Sequence, residues 1–434
     1  MDKMADGLGR AGAWCGQNKY LSAIKNAFQN FMPLTIAGAI GVLWCNVLVN
    51  ESTGLGIFFK PIMALEFLNP AFQAVNFCTI SCITVGITLG IAQEIGVWNM
   101  GAERAGYIPG LVGLAAWLSV TNTSHMVEGA KEAFTGIAGN ELGATGLFTG
   151  MIIGVLSVEL FCFFEKQDAL KIKMPEQVPP GVARAFEVLV PATITLIITA
   201  CIGSACYNLT GLYLNDVIKN GIQGPLGAVG ATIPGVMIIY LVIMLFWLVG
   251  IHGNNMLSAV KEALFTPLAL ENVEKFNKGE KPTNIINMYF LQMCGEFGGS
   301  GVTIGLVIAI MIFGKREDNK AIASLSLVPG LFNINETVTF GIPMVLNPIL
   351  GIPFVFACLV TILVGYVLTV IGFCPVACLT VPWTTPPIVF GFLATGANVM
   401  GAVTQAILIV VSTVIYVPFL ISYEKYQNKQ AAEA

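Results

Sequence analysis

The chain has 434 residues, 56% of them hydrophobic and 11% charged, with a formal net charge of −4. Soluble domains carry about a quarter charged residues, so this composition excludes an ordinary soluble domain and defines an all-α polytopic membrane protein. No basic run interleaved with aromatic residues is present, which excludes a nucleic-acid binder.

In chain order, the first ~25 residues are polar, with Lys3, Arg10, Lys19 and Lys25. They lack the short apolar core of a signal peptide and predict a cytoplasmic lead-in. Charge-free windows then predict spans over 26–50, 67–93, 105–127 and 188–207, and 142–164 predicts another with Glu159 inside it; each has about the length a membrane helix needs. Glu94, Glu103 and Arg104 are expected to be solvated at a cytoplasmic turn, and His125 to lie in an external loop. Residues 165–184 form a polar segment with Pro179-Pro180, and 212–221 a surface-lying one. Residues 220–260 contain no Asp, Glu, Lys or Arg, but Pro225, Pro234 and the polar break Gly250-Ile251-His252-Gly253-Asn254-Asn255 interrupt them. A charged segment, Lys261 to Lys281, follows. Residues 285–313 predict a further span enclosing Glu296 among Gly295, Gly298, Gly299 and Gly301, small residues of the kind that let helices approach closely. Spans over 344–373 and 399–421 complete the chain, separated by Pro382-Trp383-Thr384-Thr385-Pro386-Pro387. The total expected is about ten transmembrane helices plus two re-entrant hairpins and interfacial amphipathic helices.

The excess of Lys and Arg in cytoplasmic loops puts the N-terminus, the 165–184 and 315–320 loops and the C-terminal tail inside, and the 51–66, 128–141 and 208–219 loops outside. The four lysines of 261–284 fit that scheme poorly, because two crossings by 220–270 would put this segment outside.

Between Lys320 and Glu424, Glu336 is the one charged residue. It stands in Asn333-Ile334-Asn335-Glu336-Thr337-Val338-Thr339, with Pro329-Gly330 before and Gly341-Ile342-Pro343 after. A carboxylate in lipid costs several kcal/mol, so it must face a cavity or a partner. Irregular backbone at that depth is tolerated only where it lines such a cavity, and Pro/Gly-broken segments are the best sequence pointers to a transport site. His252, followed by Asn254 and Asn255, is the second such position; a neutral imidazole both donates and accepts. Asn333, Asn335 and Glu336 suit vicinal hydroxyls, and Trp383 offers a flat face to sugar C–H groups. Glu296 is either a further site residue or a packing partner. The eleven cysteines include no CxxC pair and are expected as small buried hydrophobes. No metal-ligand spacing, P-loop or nucleophile elbow is present, so no metal and no cofactor is expected.

Four segments carry a resemblance: Ile251-His252-Gly253-Asn254; Asn333-Ile334-Asn335-Glu336 through Pro343; Lys171-Ile172-Lys173-Met174-Pro175 with Val178-Pro179-Pro180 through Arg184; and Asn18 through Lys25 with Met32-Pro33-Leu34-Thr35. Together they resemble the lactose/cellobiose-type EIIC family of the bacterial phosphoenolpyruvate-dependent sugar phosphotransferase system, over residues 14 to 424. The resemblance implies a homodimer in the bacterial cell membrane with both termini cytoplasmic. It implies an N-terminal scaffold and dimerisation half (1–220) and a C-terminal sugar-binding half (221–434). It implies import of a β-linked disaccharide by alternating access, coupled to phosphorylation at C6 by a separate phospho-IIB protein served by IIA. The family's sugar-site His and Glu fall on His252 and Glu336, its amides on Asn254 and Asn335 and its stacking Trp on Trp383. The expected sugar-binding set is thus His252, Gly253, Asn254, Asn255, Glu296, Asn333, Asn335, Glu336 and Trp383, with His252 and Glu336 at the chemistry. The alternative is a proton-coupled secondary sugar transporter with Glu336 and His252 as its relay.

Overall fold

The computed structural model describes residues 14, 17–51, 56, 59–125, 134–175, 177–225, 230–342, 344 and 347–433. The start of the lead-in, residues 128–133 of the 128–141 loop and Pro343 fall outside these residues. The main helices are α1 (Lys19–Leu43), α2 (Ile83–Met100), α3 (Ile108–Val120), α4 (Ala144–Glu165), α5 (Pro180–Thr210), α6 (Ile233–Leu248), α7 (Gly253–Met256), α8 (Ser258–Asn277), α9 (Met288–Gly295), α10 (Ile304–Phe313), α11 (Glu317–Leu331), α12 (Glu336–Gly341), α13 (Gly351–Val370), α14 (Val389–Ala394) and α15 (Val399–Glu433). Shorter helical turns join them. Among the described residues the strands are β1 (Ser124–His125) and β2 (Phe134–Thr135), an antiparallel pair; the His125 ring nitrogen lies 3.2 Å from the Asn122 carbonyl.

Among the described residues, five helices are long and apolar enough to cross a membrane: α1 with the turn after it, α4, α5, α13 and most of α15. Two broken pairs, Lys60–Ser81 with α2 and Met288–Val302 with α10, raise the number to seven if each is one span. α3 and α6 are apolar but shorter.

The chain clusters into two compact units. One comprises residues 17–38 and 75–228, the other 1–16, 39–74 and 229–434. In the first unit, α2, α3 and α4 pack side by side. Missing side chains permit the approach: a Cβ on Gly113 would lie 2.3 Å from Ala92 Cβ, and one on Gly150 would lie 2.2 Å from Thr88 Oγ1. Trp117, Ile87, Ile91, Ile95, Leu147 and Phe161 fill the interior. Charges here also have partners in the chain: Arg104 is 47% exposed, as expected, yet paired, and Glu94 is half-buried rather than solvated. Glu94 accepts from the Asn26 amide at 2.9 Å. Arg104 and Arg184 both reach the buried Glu165 carboxylate, at 2.9 and 3.0 Å. Two guanidinium groups on one carboxylate are the arrangement that makes a buried charge tolerable. Outside the helices, Lys171 bonds Asp168 at 3.2 Å and holds its carboxyl below the usual range.

In the second unit α9, α10, α13 and α15 surround a core that includes Phe290, Phe297, Phe354 and Tyr416. The structure refines the sequence reading of three segments here. The 285–313 span is not one helix: it breaks at Glu296–Thr303 and bends by 59°. Successive glycines with positive φ (Gly298, Gly299 and Gly301) turn the backbone in a way other residues resist. The charged 261–281 segment is mostly helix α8, with Lys261 6% exposed. The window 344–373 becomes helix only from Gly351.

α8 is anchored near its end by Asn272, which is fully buried. Its Nδ2 donates to the carbonyls of Asn284 and Ala377 at 2.8 and 3.0 Å, and its Oδ1 accepts from the N–H groups of Thr283 and Asn284. Asn272→Ala leaves the N–H groups of Thr283 and Asn284 without this acceptor, at ~1–3 kcal/mol each where water cannot reach them, whereas the carbonyls of Asn284 and Ala377 keep the Asn287 amide as donor. The expected result is a fall of many degrees in the thermal midpoint of the detergent-solubilised protein; Asn272→Leu should fare no better. A midpoint within two degrees of wild type would show that the 282–287 segment does not depend on this amide.

Candidate functional site

The site is best built outward from the broken α9–α10 pair. Between its halves, Ser300–Val302 forms a single tight turn with left-handed residues before and within it. Such a turn leaves backbone groups without helical partners, and side chains from three other segments supply them. The Asn333 Oδ1 accepts from Gly298 N–H at 2.6 Å. The Asn335 Nδ2 donates to the Ser300 carbonyl at 2.7 Å. The Tyr416 hydroxyl donates to the Gly301 carbonyl at 2.8 Å, and Asn254 Nδ2 donates to Ser300 Oγ at 2.9 Å. Of the asparagines expected to bind substrate, Asn254, Asn333 and Asn335 thus have amide atoms already bonded to this turn.

The first contributing segment is His252–Asn255. His252 caps α7, its Nδ1 accepting from Asn255 N–H at 3.3 Å. That bond assigns the hydrogen to Nε2 in the neutral ring. The ring rests on Trp247, with centroids 4.4 Å apart, and Trp247 meets Phe354 edge-on at 6.5 Å. Only glycine fits at 253, because a Cβ there would lie 2.0 Å from the Ile243 carbonyl oxygen. Asn255 is exposed.

The second segment is Asn333–Glu336. Asn333 has a φ of 64°, a left-handed value that asparagine tolerates better than most residues. Asn335 is buried and stands at the N-terminal end of α12, and Glu336 opens that helix. Its carboxylate lies 3.9 Å from His252 Nε2, with side-chain exposures of 47% and 38%. At that distance the two groups are neighbours without a direct hydrogen bond, and both remain open to a third group. The third segment carries Trp383, which is 44% exposed. Asn333 Nδ2 donates to the carbonyls of Trp383 and Thr385. The far side of this loop is held by Gln405, whose Oε1 accepts from Ile388 and Gly391 N–H groups at 2.8 and 2.7 Å.

Glu296 points elsewhere. Its carboxylate accepts from the Tyr240 hydroxyl at 2.7 Å and pairs with Lys261. Sequence reasoning did not single out Lys261, Tyr240, Trp247, Ser300 or Gln405. Lys261 reads as the first charge of a surface segment, and the others lie in apolar runs where nothing marks a polar role. The clustered glycines were the usable signal, and they were read as helix packing rather than as a break.

Comparison with known proteins now bears on this geometry. Residues 25–358 match the family model for the phosphotransferase system EIIC proteins. An oligo-beta-mannoside-specific EIIC component of Bacillus subtilis (strain 168) is 34% identical, over 94% of this chain and 90% of its own. A cellobiose-specific EIIC component of Lactococcus lactis subsp. lactis (strain IL1403) is 29% identical, over 96% of each. The crystal structure of the transporter ChbC, the IIC component of the N,N'-diacetylchitobiose-specific phosphotransferase system, superposes with a TM-score of 0.88 over 97% of both chains at 29% identity. The chain belongs to the phosphotransferase-system EIIC family.

Asn335 and Gly299 provide a test of the turn. A Cβ on Gly299, where φ is 87°, would lie 2.6 Å from Asn335 Cβ. Gly299→Ala is therefore expected to cost roughly 1–3 kcal/mol from backbone strain alone, before the clash is relieved. The thermal midpoint should fall clearly, whereas Gly372→Ala, also at positive φ but with nothing within 4 Å, should cost only the strain. Equal losses would mean that the Asn335 contact does not constrain Gly299.

Proposed function

We propose that this chain is the membrane permease of a phosphotransferase system for a β-linked disaccharide of the cellobiose, diacetylchitobiose or lactose type. The observation that carries the reading is the half-open pair of His252 and Glu336 beside an exposed Trp383, in a chain of the EIIC family. Cargo named for relatives, oligo-β-mannosides, cellobiose and diacetylchitobiose, supports a β-linked disaccharide. The sugar-contacting set is His252, Gly253, Asn254, Asn255, Asn333, Asn335, Glu336 and Trp383, with the amides serving chiefly through the backbone they fix.

The protein crosses the bacterial membrane about ten times, with two re-entrant hairpins at Asn333–Gly341 and around Trp383, and both termini cytoplasmic. It works as a homodimer in lipid, with a scaffold and dimerisation half (1–220) and a transport half (221–434). A cytoplasmic IIB protein, charged by IIA, supplies phosphate from its cysteine. In the transfer the sulfur–phosphorus bond breaks and a bond forms from phosphorus to the C6 oxygen. The hydroxyl proton passes to Glu336 or His252, and the thiolate leaves. A carboxylate bonded to that hydroxyl makes a charge-assisted hydrogen bond, about twice as strong as a neutral one. General-base help of this kind is typically worth ~10²–10⁴-fold. The family membership favours this over proton-coupled transport.

Two measurements test the reading. Glu336→Gln keeps shape but takes no proton; it should bind sugar weakly but measurably and fail when phospho-IIB is added, while His252→Ala loses both activities. A wild-type phosphorylation rate in Glu336→Gln would remove it as the base. Uptake that releases unmodified sugar and stops with an uncoupler would favour the proton-coupled alternative. At Trp383, Phe should keep part of the affinity and Ala should lose most of it, since an aromatic contact contributes about 0.5–1.5 kcal/mol beyond its buried area. Equal affinity in the Ala variant would reduce Trp383 to an anchor of its loop.

A further inference from the structure

The buried ion pair of Lys261 and Glu296 belongs to no step of this scheme. Lys261 is 6% exposed, and its ammonium sits over the Tyr240 ring, 5.6 Å from the centroid. Tyr240 is fully buried, and its hydroxyl is the second donor to the same Glu296 oxygen. The pair joins two arms of the site. On one side, Lys261 N–H donates at 2.9 Å to Leu257, the residue that ends α7, the turn His252 caps. On the other, Glu296 ends α9, and its carbonyl accepts from Gly299 N–H at 3.0 Å. The next residues, Gly298 and Ser300, are those that Asn333 and Asn335 hold. The pair therefore links the His252 arm to the turn on which the Glu336 arm is fastened.

We infer that Lys261 and Glu296, oriented by Tyr240, are positioning residues that set the separation of His252 from Glu336, and that Glu296 does not touch the sugar. This rests on the function proposed above for its sugar readout. Removing one partner strands a buried charge, which must draw in water or a new partner and shift one arm. Replacing both by neutral residues of similar shape removes that stress while keeping the packing.

The test uses the full-length protein with Glu296→Gln, Lys261→Met and the double variant. Sugar affinity for cellobiose and diacetylchitobiose is measured beside the sugar-free thermal midpoint. A second readout needs no sugar. The chain has two histidines, so His125→Gln leaves His252 alone, and at alkaline pH its imidazole proton resonances carry the ring-current shift of Trp247. Each single variant is expected to weaken binding at least tenfold and to move these resonances; the double variant should return both to near wild type. Binding lost in Glu296→Gln and in the double variant but kept in Lys261→Met would overturn the inference and make Glu296 a sugar ligand. A lowered midpoint with unmoved resonances would overturn it too, leaving a pair that only stabilises the fold. If the unmutated protein binds neither sugar, the permease reading for these sugars fails, and the resonances still decide the role of the pair.

Discussion

The constraint on which the second unit depends is a backbone that leaves the helix between Glu296 and Thr303. Positive φ at Gly298, Gly299 and Gly301 frees amide and carbonyl groups that a continuous helix would have paired internally. In a membrane protein such groups need partners from elsewhere in the chain or from a water-filled cavity. Asn333, Asn335 and Tyr416 provide them, and Asn254 joins through the Ser300 hydroxyl. These side chains come from three other segments: Asn333 and Asn335 from one, Tyr416 from α15 and Asn254 from α7. Satisfying one irregular turn thus fixes where four segments meet, and the candidate site lies where they meet.

This explains a division of labour among the polar residues. The amides hold backbone, so their positions are set before any substrate arrives. Glu336 and His252 hold nothing as firmly: at 3.9 Å they are close enough to interact and too far to saturate each other. Of the groups that fix geometry, Asn335 and Tyr416 are buried and Asn254 and Asn333 half-buried, while Glu336 and His252 have side chains 47% and 38% exposed. An arrangement prepared in this way does not have to be ordered again on binding, which removes part of the entropic cost of association.

The sequence made some of this legible and hid the rest. Glu336 stood out because no other charge lies within a long apolar stretch, and a lone carboxylate in lipid demands a reason. His252 stood out because Gly253, Asn254 and Asn255 interrupt an apolar run. Helix positions followed from charge-free windows, but their ends did not. α1 begins earlier than its window because the Asn18 side chain accepts from the N–H groups of Tyr20 and Leu21, and composition does not register a cap. The break at Gly298–Val302 was hidden because glycine in a membrane helix signals close packing more often than a turn. Lys261 was hidden for a different reason. A charge next to a charged segment reads as solvated, and its partner Glu296 lies 35 residues away.

The isolation of Glu336 also bears on how such a site could release what it modifies. A neutral sugar hydroxyl is attracted to the carboxylate. Once phosphorylated, the same position carries a phosphate with about −1.5 to −2 charges near neutral pH. No Lys or Arg lies between Lys320 and Glu424 to offset that charge from this segment, and His252, 3.9 Å away, is an imidazole rather than a fixed cation. At ~4 Å and an effective dielectric constant near 20, two unit charges of like sign repel by about 4 kcal/mol. The feature that makes the carboxylate costly in the empty protein, its lack of a strong cationic partner, would therefore make it a poor site for the phosphorylated product. If Glu336 holds the hydroxyl as proposed above, release is favoured once the carboxylate has given up any proton it took, because the phosphorylated oxygen is then repelled where the hydroxyl was attracted.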